Sequence, residues 1–249
     1  MKIKHLALLL LSLSTSVVMS QTNTTLHKDL NVSTKFYLSA EEWQATTTKL
    51  VELYGQQPFA FVENNPDLPN VLIIGTSISI GYTPFVRENL AGKANVYRIP
   101  QNSNSTDTSL LNIDFWLGEM KWDVIHVNWG LHDLKYTLEY EHQDVPPAKY
   151  QDNLRTLFTR MSKTGAKIIW ANTSYYPDGC KPRRDVGDDV LYNNLALEVL
   201  ASFPEIIVDD QYSLTKANPQ NQLPNNVHFT DEGYKQQALQ ASEVICGVL

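Results

Sequence analysis

The sequence predicts an α/β fold, a five-stranded parallel sheet with helices on both faces, and three observations support this. Short apolar runs alternate with segments of helical spacing from residue 70 to the C terminus. The apolar runs are hydrophobic at successive positions, as in strands that are buried on both faces. No repeat or shift in composition divides this region, so we expect one domain. In such sheets, ligands bind at the carboxyl ends of the strands.

Each element is predicted from a local signal. A helix at 40–54 begins at a capping box formed by Ser39 and Glu42, and Gly55 is suited to end it. The run NVLIIG at 70–75 predicts the first strand. Four further apolar runs predict strands at 96–99, 123–128, 167–171 and 206–208. Helical spacing predicts the covering helices at 79–90, 107–117, 150–163, 186–201 and 231–246.

The first 20 residues are typical of a secretory signal peptide. Lys2 and Lys4 give a positive start, and the apolar stretch at 6–18 is too short to span a bilayer comfortably. Small residues at 18 and 20 fit a cleavage site, with a retained anchor as the alternative. The mature protein is therefore expected to be secreted or periplasmic. The predicted organisation is a signal peptide at 1–20, an N-terminal arm and helix at 21–69, and the α/β domain at 70–249.

The charge and cysteine content exclude several classes of function. The chain has 20 Lys and Arg against 27 Asp and Glu, a net charge of −7, which argues against a nucleic-acid partner. No second stretch is long and apolar enough to span a bilayer, so no stable membrane association is expected. Two cysteines are too few for a disulfide scaffold or a Cys-based zinc site. Cys180 and Cys246 could form one disulfide or remain free thiols.

Three polar clusters follow predicted strands or precede the last helix, at 75–79, 128–133 and 225–229. Ser77 lies between a strand and a helix, where free helical N–H groups favour a developing negative charge. His228 lies just before the last helix. A serine at a strand end and a late histidine are suited to nucleophilic acyl transfer. The clusters therefore predict a site at the carboxyl edge of the sheet.

These clusters resemble the sequence blocks of the SGNH hydrolases, also called GDSL esterases or lipases. IIGTSISIGY resembles the first block, which carries the nucleophile, here Ser77. NWGLHDL resembles the third block, and NNVHFTDEGY resembles the last, which carries the general base, here His228. The resemblance covers about 70–247 and implies a flavodoxin-like three-layer α/β/α sandwich. It also implies a serine esterase without a metal or organic cofactor. Secreted relatives often deacetylate polysaccharides, so the expected partner is a small-molecule or polysaccharide ester.

Four residues depart from the family pattern: Thr76, Asn104, His132 and Asn225. Thr76 replaces the Asp before the nucleophile. Asn104 lies in the stretch 102–105 that should supply an oxyanion-hole glycine, and His132 replaces the block-three Asn. With the N–H of Ser77, these two residues are the predicted oxyanion hole.

Asn225 stands where the triad Asp is expected, three residues before His228. It is the predicted third catalytic residue, because an amide oxygen can orient a histidine. The alternatives are a backbone carbonyl, or a carboxylate of Asp209, Asp210 or Asp231. The altered positions also leave open a non-catalytic glycan-binding relative, or an acyltransferase.

Two residues are predicted to bind substrate, each with a structural alternative. Trp129 could stack on a sugar or pack in the core. Arg184, like Arg183, could bind an anionic group or pair with a nearby aspartate in the loop 175–189. The histidines at 126, 132 and 142 show no spacing typical of metal ligands, so no metal site is expected.

Overall fold

The computed structural model describes residues 38–137 and 141–249, so the predicted signal peptide lies outside the described residues. Its centre is an all-parallel five-stranded sheet, which confirms the predicted fold class. The strands are β1 (Asn70–Gly75), β2 (Asn95–Arg98), β3 (Val124–Asn128), β4 (Lys167–Ala171) and β5 (Ile207–Asp209). Their order across the sheet is β2-β1-β3-β4-β5. This is the flavodoxin-like strand order, in which the order of strand addition reverses at the junction of β1 and β3.

The strand register brings the carboxyl ends of the central strands together. Gly75 of β1 lies opposite Asn128 of β3, and Asn128 lies opposite Ala171 of β4. Ala171 in turn lies opposite Asp209 of β5. The loops that follow these four strands therefore begin along one edge of the sheet.

Seven α-helices are present in the described part of the chain: α1 (Ala40–Tyr54), α2 (Ser77–Asn89), α3 (Thr106–Leu117), α4 (Pro147–Ser162), α5 (Asp188–Leu200), α6 (Gln211–Ala217) and α7 (Asp231–Cys246). α2 packs against α7, whereas α3, α4 and α5 pack in sequence against one another. The apolar core lies between these helices and the sheet.

The predicted helices and strands are all present, with ends shifted by three residues or fewer. α2 begins two residues earlier than predicted, so that Ser77 is its first residue rather than part of a preceding loop. α6 was not predicted. It has seven residues, too few for a helical period to show, and the Asp210 side chain caps it by accepting from the N–H of Ser213.

The segment before the sheet is attached to α2 by a small apolar cluster. Leu38, Trp43 and Phe59 are buried against Ile80. The indole N–H of Trp43 donates to the carbonyl of Phe59 at 2.7 Å, which fixes the turn after α1. The predicted helix and its capping box are confirmed, with Gly55 at the end of α1.

The described residues include no helix that is long and apolar enough to cross a membrane. Cys180 is buried, Cys246 is exposed, and both are free thiols, so the alternative of a disulfide between them is not realised. The thiol of Cys180 instead donates to the carbonyl of Pro177 at 3.1 Å.

Candidate active site

Ser77 is placed at the carboxyl end of β1, where the chain turns directly into α2. The turn needs Gly75, because a Cβ there would lie 2.7 Å from the hydroxyl oxygen of Ser79. Thr76 is the N-cap residue, but its side chain does not cap the helix and faces the Asn128 amide oxygen at 3.4 Å. The first N–H groups of α2 have no acceptor within the helix, and the N–H of Ser77 is among them.

The Ser77 hydroxyl and the His228 imidazole are in direct contact. Ser77 Oγ lies 2.7 Å from His228 Nε2, although the two residues are 151 positions apart in the chain. The loop that carries the histidine is held by two backbone hydrogen bonds, Leu223 N–H to His228 O at 2.9 Å and Thr230 N–H to Asn221 O at 2.8 Å. The structure thus brings the predicted nucleophile and general base together.

The third member of the site is Asn226, not Asn225 as the family spacing predicted. Asn226 Oδ1 lies 2.7 Å from His228 Nδ1 and also accepts from the His228 backbone N–H at 3.1 Å. Because a backbone N–H only donates, the atom facing it must be the amide oxygen. That oxygen accepts from Nδ1–H, which leaves Nε2 as the acceptor for the Ser77 hydroxyl. Asn225 is exposed and has a φ of 53°, so it forms the turn before Asn226.

None of the three candidate carboxylates orients His228. Asp209 is buried and accepts from Gln211 and Gln240, and its Oδ2 lies 2.9 Å from His126 Nε2. Asp210 accepts from the Asn172 amide and the Ser213 N–H. Across residues 38–137 and 141–249, no carboxylate lies within 4.0 Å of His228.

The surroundings of His228 keep its ring neutral. Burial lowers the pKa of His228 below the usual value of 6.5, and the positive charge of Arg184 lowers this pKa further. A neutral imidazole is the form that accepts a proton from serine. The site therefore holds its base in the reactive form at neutral and mildly acidic pH.

Ser77 and His132, two of the three predicted oxyanion donors, each carry an N–H group that can donate. The Ser77 N–H lies at the start of α2, as described above. Lys135 Nζ lies 3.3 Å from His132 Nδ1, and an ammonium only donates, so the ring carries its proton on Nε2. Burial, followed by Lys135 and Arg184, lowers the pKa of His132 to about 3, so this ring is a neutral donor.

Asn104 does not offer its backbone N–H as predicted, because that group donates to Asn102 Oδ1 at 3.0 Å. The φ of Asn104 is 51°, a left-handed conformation that glycine adopts most readily and asparagine tolerates. This φ shows why a glycine suits the position. The neighbouring N–H of Ser103 is also occupied, by the carbonyl of Gly75 at 3.1 Å.

Asp133 supports the site without touching the catalytic pair. It accepts from the N–H and hydroxyl of Thr106 at 2.8 and 2.6 Å, and from the N–H of Gly130 at 3.2 Å. Burial raises its pKa to about 7 in spite of these donors. Asp133 thus ties the loop that carries His132 to the start of α3.

Solved structures with the same architecture are known, although no protein-family model and no curated protein matches the sequence. A lipase/acylhydrolase from Enterococcus faecalis aligns with a TM-score of 0.62 at 20% identity, covering 72% of this chain and 96% of that one. An acetyl xylan esterase, AlAXEase, aligns with a TM-score of 0.61 at 16% identity, covering 71% and 99%. The acetylxylan esterase Axe2 from Geobacillus stearothermophilus aligns with a TM-score of 0.58 at 18% identity, covering 71% and 94%.

The chain has the SGNH hydrolase fold. The alignments span nearly the full length of these neighbours, so the fold is complete in this chain. At this level of identity the likeness concerns the fold alone.

Within the SGNH fold, a cleft of about 510 Å³ opens beside Ser77 and His228. Its other walls come from three segments, the end of α1 with residues 54–58, one face of α2, and the start of α7. The aromatic residues in its lining are Tyr54, Phe85 and Tyr234. Sequence reasoning missed the contribution of residues 54–58, because the capping box predicts a helix but gives no information on where that helix packs.

The prediction that Trp129 binds substrate is wrong. Its side chain is 0% exposed and packs in the core near Phe158, with ring centroids 6.5 Å apart. The residue follows the buried end of β3, and its ring points into the apolar layer. Tyr82 is buried in the same way.

Among the described residues, no group of three His, Cys, Asp or Glu side chains is arranged to hold a metal ion. His126 lies inside β3, where its Nε2 faces Asp209 Oδ2 and its ring contacts the Tyr82 ring. The site as described consists of a serine, two histidines and their amide, ammonium and backbone partners.

Proposed function

We propose that the protein is a serine ester hydrolase that forms an acyl-enzyme on Ser77. The observation that carries the proposal is the chain of contacts from Ser77 Oγ to His228 Nε2 and from His228 Nδ1 to Asn226 Oδ1, each 2.7 Å long. A hydroxyl, a neutral imidazole and an orienting acceptor in this order activate a nucleophile. The N-terminus of α2 adds the positive end of its helix dipole near the reacting oxygen.

In the proposed reaction, Ser77 Oγ attacks the ester carbonyl while its proton passes to His228 Nε2. The carbonyl oxygen becomes negative, and the proposed donors that stabilise it are the N–H of Ser77 and Nε2–H of His132. The imidazolium then gives its Nε2 proton to the leaving alcohol as the C–O bond breaks. Water enters, and its oxygen attacks the acyl carbon while His228 Nε2 takes its proton. The bond to Ser77 Oγ then breaks, His228 returns the proton to Ser77 Oγ, and the acyl group leaves as a carboxylic acid. Asn226 stabilises the imidazolium through its amide dipole, more weakly than a carboxylate would.

We further propose that the substrate is an acylated carbohydrate and that the protein acts after secretion. Two of the structural neighbours are acetylxylan esterases, which supports an acetylated polysaccharide as substrate. Tyr54, Phe85 and Tyr234 in the cleft provide apolar ring faces, which pack well on the C–H faces of sugars. The charge at the N terminus and the apolar stretch after it support secretion.

The direct test is to incubate the purified protein with 4-nitrophenyl acetate and, separately, with a fluorophosphonate reagent. We expect ester hydrolysis and a single covalent adduct, located on Ser77 by peptide mass spectrometry. Heat-denatured protein should carry no adduct, because the reactivity depends on His228. A folded protein that neither hydrolyses the ester nor takes up the reagent would favour a non-catalytic binding protein instead.

The lowered pKa of His228 predicts activity at mildly acidic pH. The general base must be neutral, so kcat/KM should fall as the pH drops through the pKa of His228. Because that pKa lies below 6.5, the acid midpoint of the profile should also lie below pH 6.5. The Arg184→Gln variant should move the midpoint to higher pH, since one positive charge near the ring is lost, whereas Arg183→Gln should leave it in place. A wild-type midpoint at or above pH 6.5 would contradict this expectation.

A further inference from the structure

Two adjacent arginines in the loop before α5 have opposite surroundings. Arg183 is exposed, pairs with both oxygens of Asp185 at 2.8 Å, and lies over the Tyr136 ring at 4.3 Å. Arg184 is 6% exposed. Its Nε donates to the carbonyl of Leu131 at 3.1 Å, and its Nη1 donates to the carbonyl of Pro182 at 3.0 Å. From the sequence, each arginine could bind an anionic group or pair with a nearby aspartate. The structure shows the aspartate pair for Arg183 and carbonyl partners for Arg184.

Arg184 has no acidic partner in the part of the chain that the structure describes: the ion pairs found there within 4.0 Å do not include it. Its two hydrogen-bond acceptors are neutral carbonyls, and its Nη2 makes no hydrogen bond to a described residue. A buried charge without a counter-charge is costly, and a chain with 27 Asp and Glu has many carboxylates that could have paired with it. Within residues 38–137 and 141–249 the guanidinium thus lacks a counter-charge, and it is suited to a negative group that arrives from outside.

The guanidinium is held against the segment that carries His132. Leu131, which accepts from Arg184, directly precedes His132. Lys135 contacts the other side of this segment through His132 Nδ1 at 3.3 Å, and lies 3.9 Å from Asp144. The charge of Arg184 lowers the pKa of both His132 and His228, which agrees with a position near both rings. Arg184 thus acts on both rings, whereas Lys135 lies against His132 and already has Asp144 as a partner.

We propose that Arg184 binds a carboxylate group of the substrate, so that the enzyme acts on esters of acidic sugars. This rests on the proposed esterase function and adds the charge of the substrate to it. A carboxylate suits the site because the remaining Nη2–H donates to one oxygen while the full charge of the guanidinium is compensated. In the neighbouring Arg183–Asp185 pair, a carboxylate of the chain itself already binds the guanidinium.

The experiment compares two acetate esters that differ in one charge, an acetylated methyl glucuronoside and the matching acetylated methyl glucoside. The wild-type kcat/KM should favour the glucuronoside by about tenfold or more, which is the effect of one charge-assisted hydrogen bond. Arg184→Gln should reduce this ratio about tenfold, mainly through KM of the charged ester. Arg184→Lys should retain part of the preference, and Arg183→Gln, the matched control, should retain all of it.

The ratio of kcat/KM for the glucuronoside to kcat/KM for the glucoside separates recognition from folding. A merely structural role of Arg184 would lower both values by the same factor and leave the ratio unchanged. Equal loss on both esters in Arg184→Gln, or no wild-type preference for the charged ester, would overturn the proposal. Binding of the deacetylated glucuronoside and glucoside to the Ser77→Ala variant, measured by calorimetry, keeps this result independent of hydrolysis. A preference for the glucuronoside in that variant supports the subsite even if the wild type proves inactive, and equal affinities overturn it even if the wild type is an active esterase.

Discussion

Ser77→Ala and His228→Ala should each lower kcat for ester hydrolysis by roughly 10³- to 10⁶-fold, the range found when a serine nucleophile or its base is removed from such enzymes. The two side chains act as one unit, because Ser77 Oγ can attack only when His228 Nε2, 2.7 Å away, accepts its proton. The double variant should therefore be no slower than the slower single variant. Steady-state kinetics with 4-nitrophenyl acetate measures all three losses.

Ser213→Ala and His142→Ala are the matched controls, since both replace exposed residues of the same types that do not line the cleft. Both should retain wild-type kcat. Thermal unfolding of every variant checks that the loss is chemical rather than structural. If Ser77→Ala kept more than a tenth of the wild-type rate, acyl-enzyme formation on Ser77 would be excluded.

Most of the fold could be predicted from local patterns, because the buried strands are short apolar runs and the helices carry their own start and stop residues. β1, β4, α1 and α7 have the predicted bounds. α2 begins earlier than predicted because Ser77 and Ile78 carry no apolar periodicity that separates them from a loop. In the structure Ile78 is buried in the core and Gly75 lies close to Ser79. Such a contact is tertiary information that the sequence does not display.

The site was predictable at its two reacting residues and less so around them. Ser77 and His228 are marked by their positions relative to a strand and a helix, and the structure brings them together. The orienting amide depends on a turn of one residue: the chain holds two asparagines in succession, and the left-handed φ of Asn225 directs its neighbour Asn226 to the ring. The only signal in the sequence for the orienting residue was the two-residue offset between Asn226 and His228. The family spacing of three residues indicated Asn225 instead.

The second large effect expected is a gain, on replacing Asn226 with Asp. A carboxylate at this position would accept from the His228 Nδ1–H and from the backbone N–H, as the amide oxygen does now at 2.7 and 3.1 Å. It would add a full charge beside the imidazolium that forms during attack. In a triad built around Asp, loss of such a charge lowers kcat about 10⁴-fold. In a site built around Asn we expect a smaller gain, about tenfold to a hundredfold in kcat/KM at pH 8.

The pH dependence of the Asn226→Asp variant shows whether its gain in kcat/KM comes from the added charge beside His228 or from a general improvement in stability. A negative charge next to the ring favours the imidazolium, so the pKa of His228 should rise and the acid midpoint of kcat/KM should move to higher pH. The gain should thus be large at pH 8 and diminish as the pH falls towards that midpoint. Asn226→Ala should lose about a hundredfold, because nothing then fixes the proton on Nδ1.

Asn225→Asp is the control that makes the assignment decisive, because it adds the same charge one residue away, at an exposed position where aspartate tolerates the left-handed φ. Its carboxylate is screened by water, so its effect on rate and midpoint should be small. If Asn225→Asp gave the larger gain, the orienting residue would be Asn225, and the loop would rearrange during catalysis. If Asn226→Asp slowed the enzyme while Asn225→Asp did not, the site would depend on a neutral partner for His228. The charge of Arg184, which lowers the pKa of this ring, would then have the same effect of keeping His228 neutral.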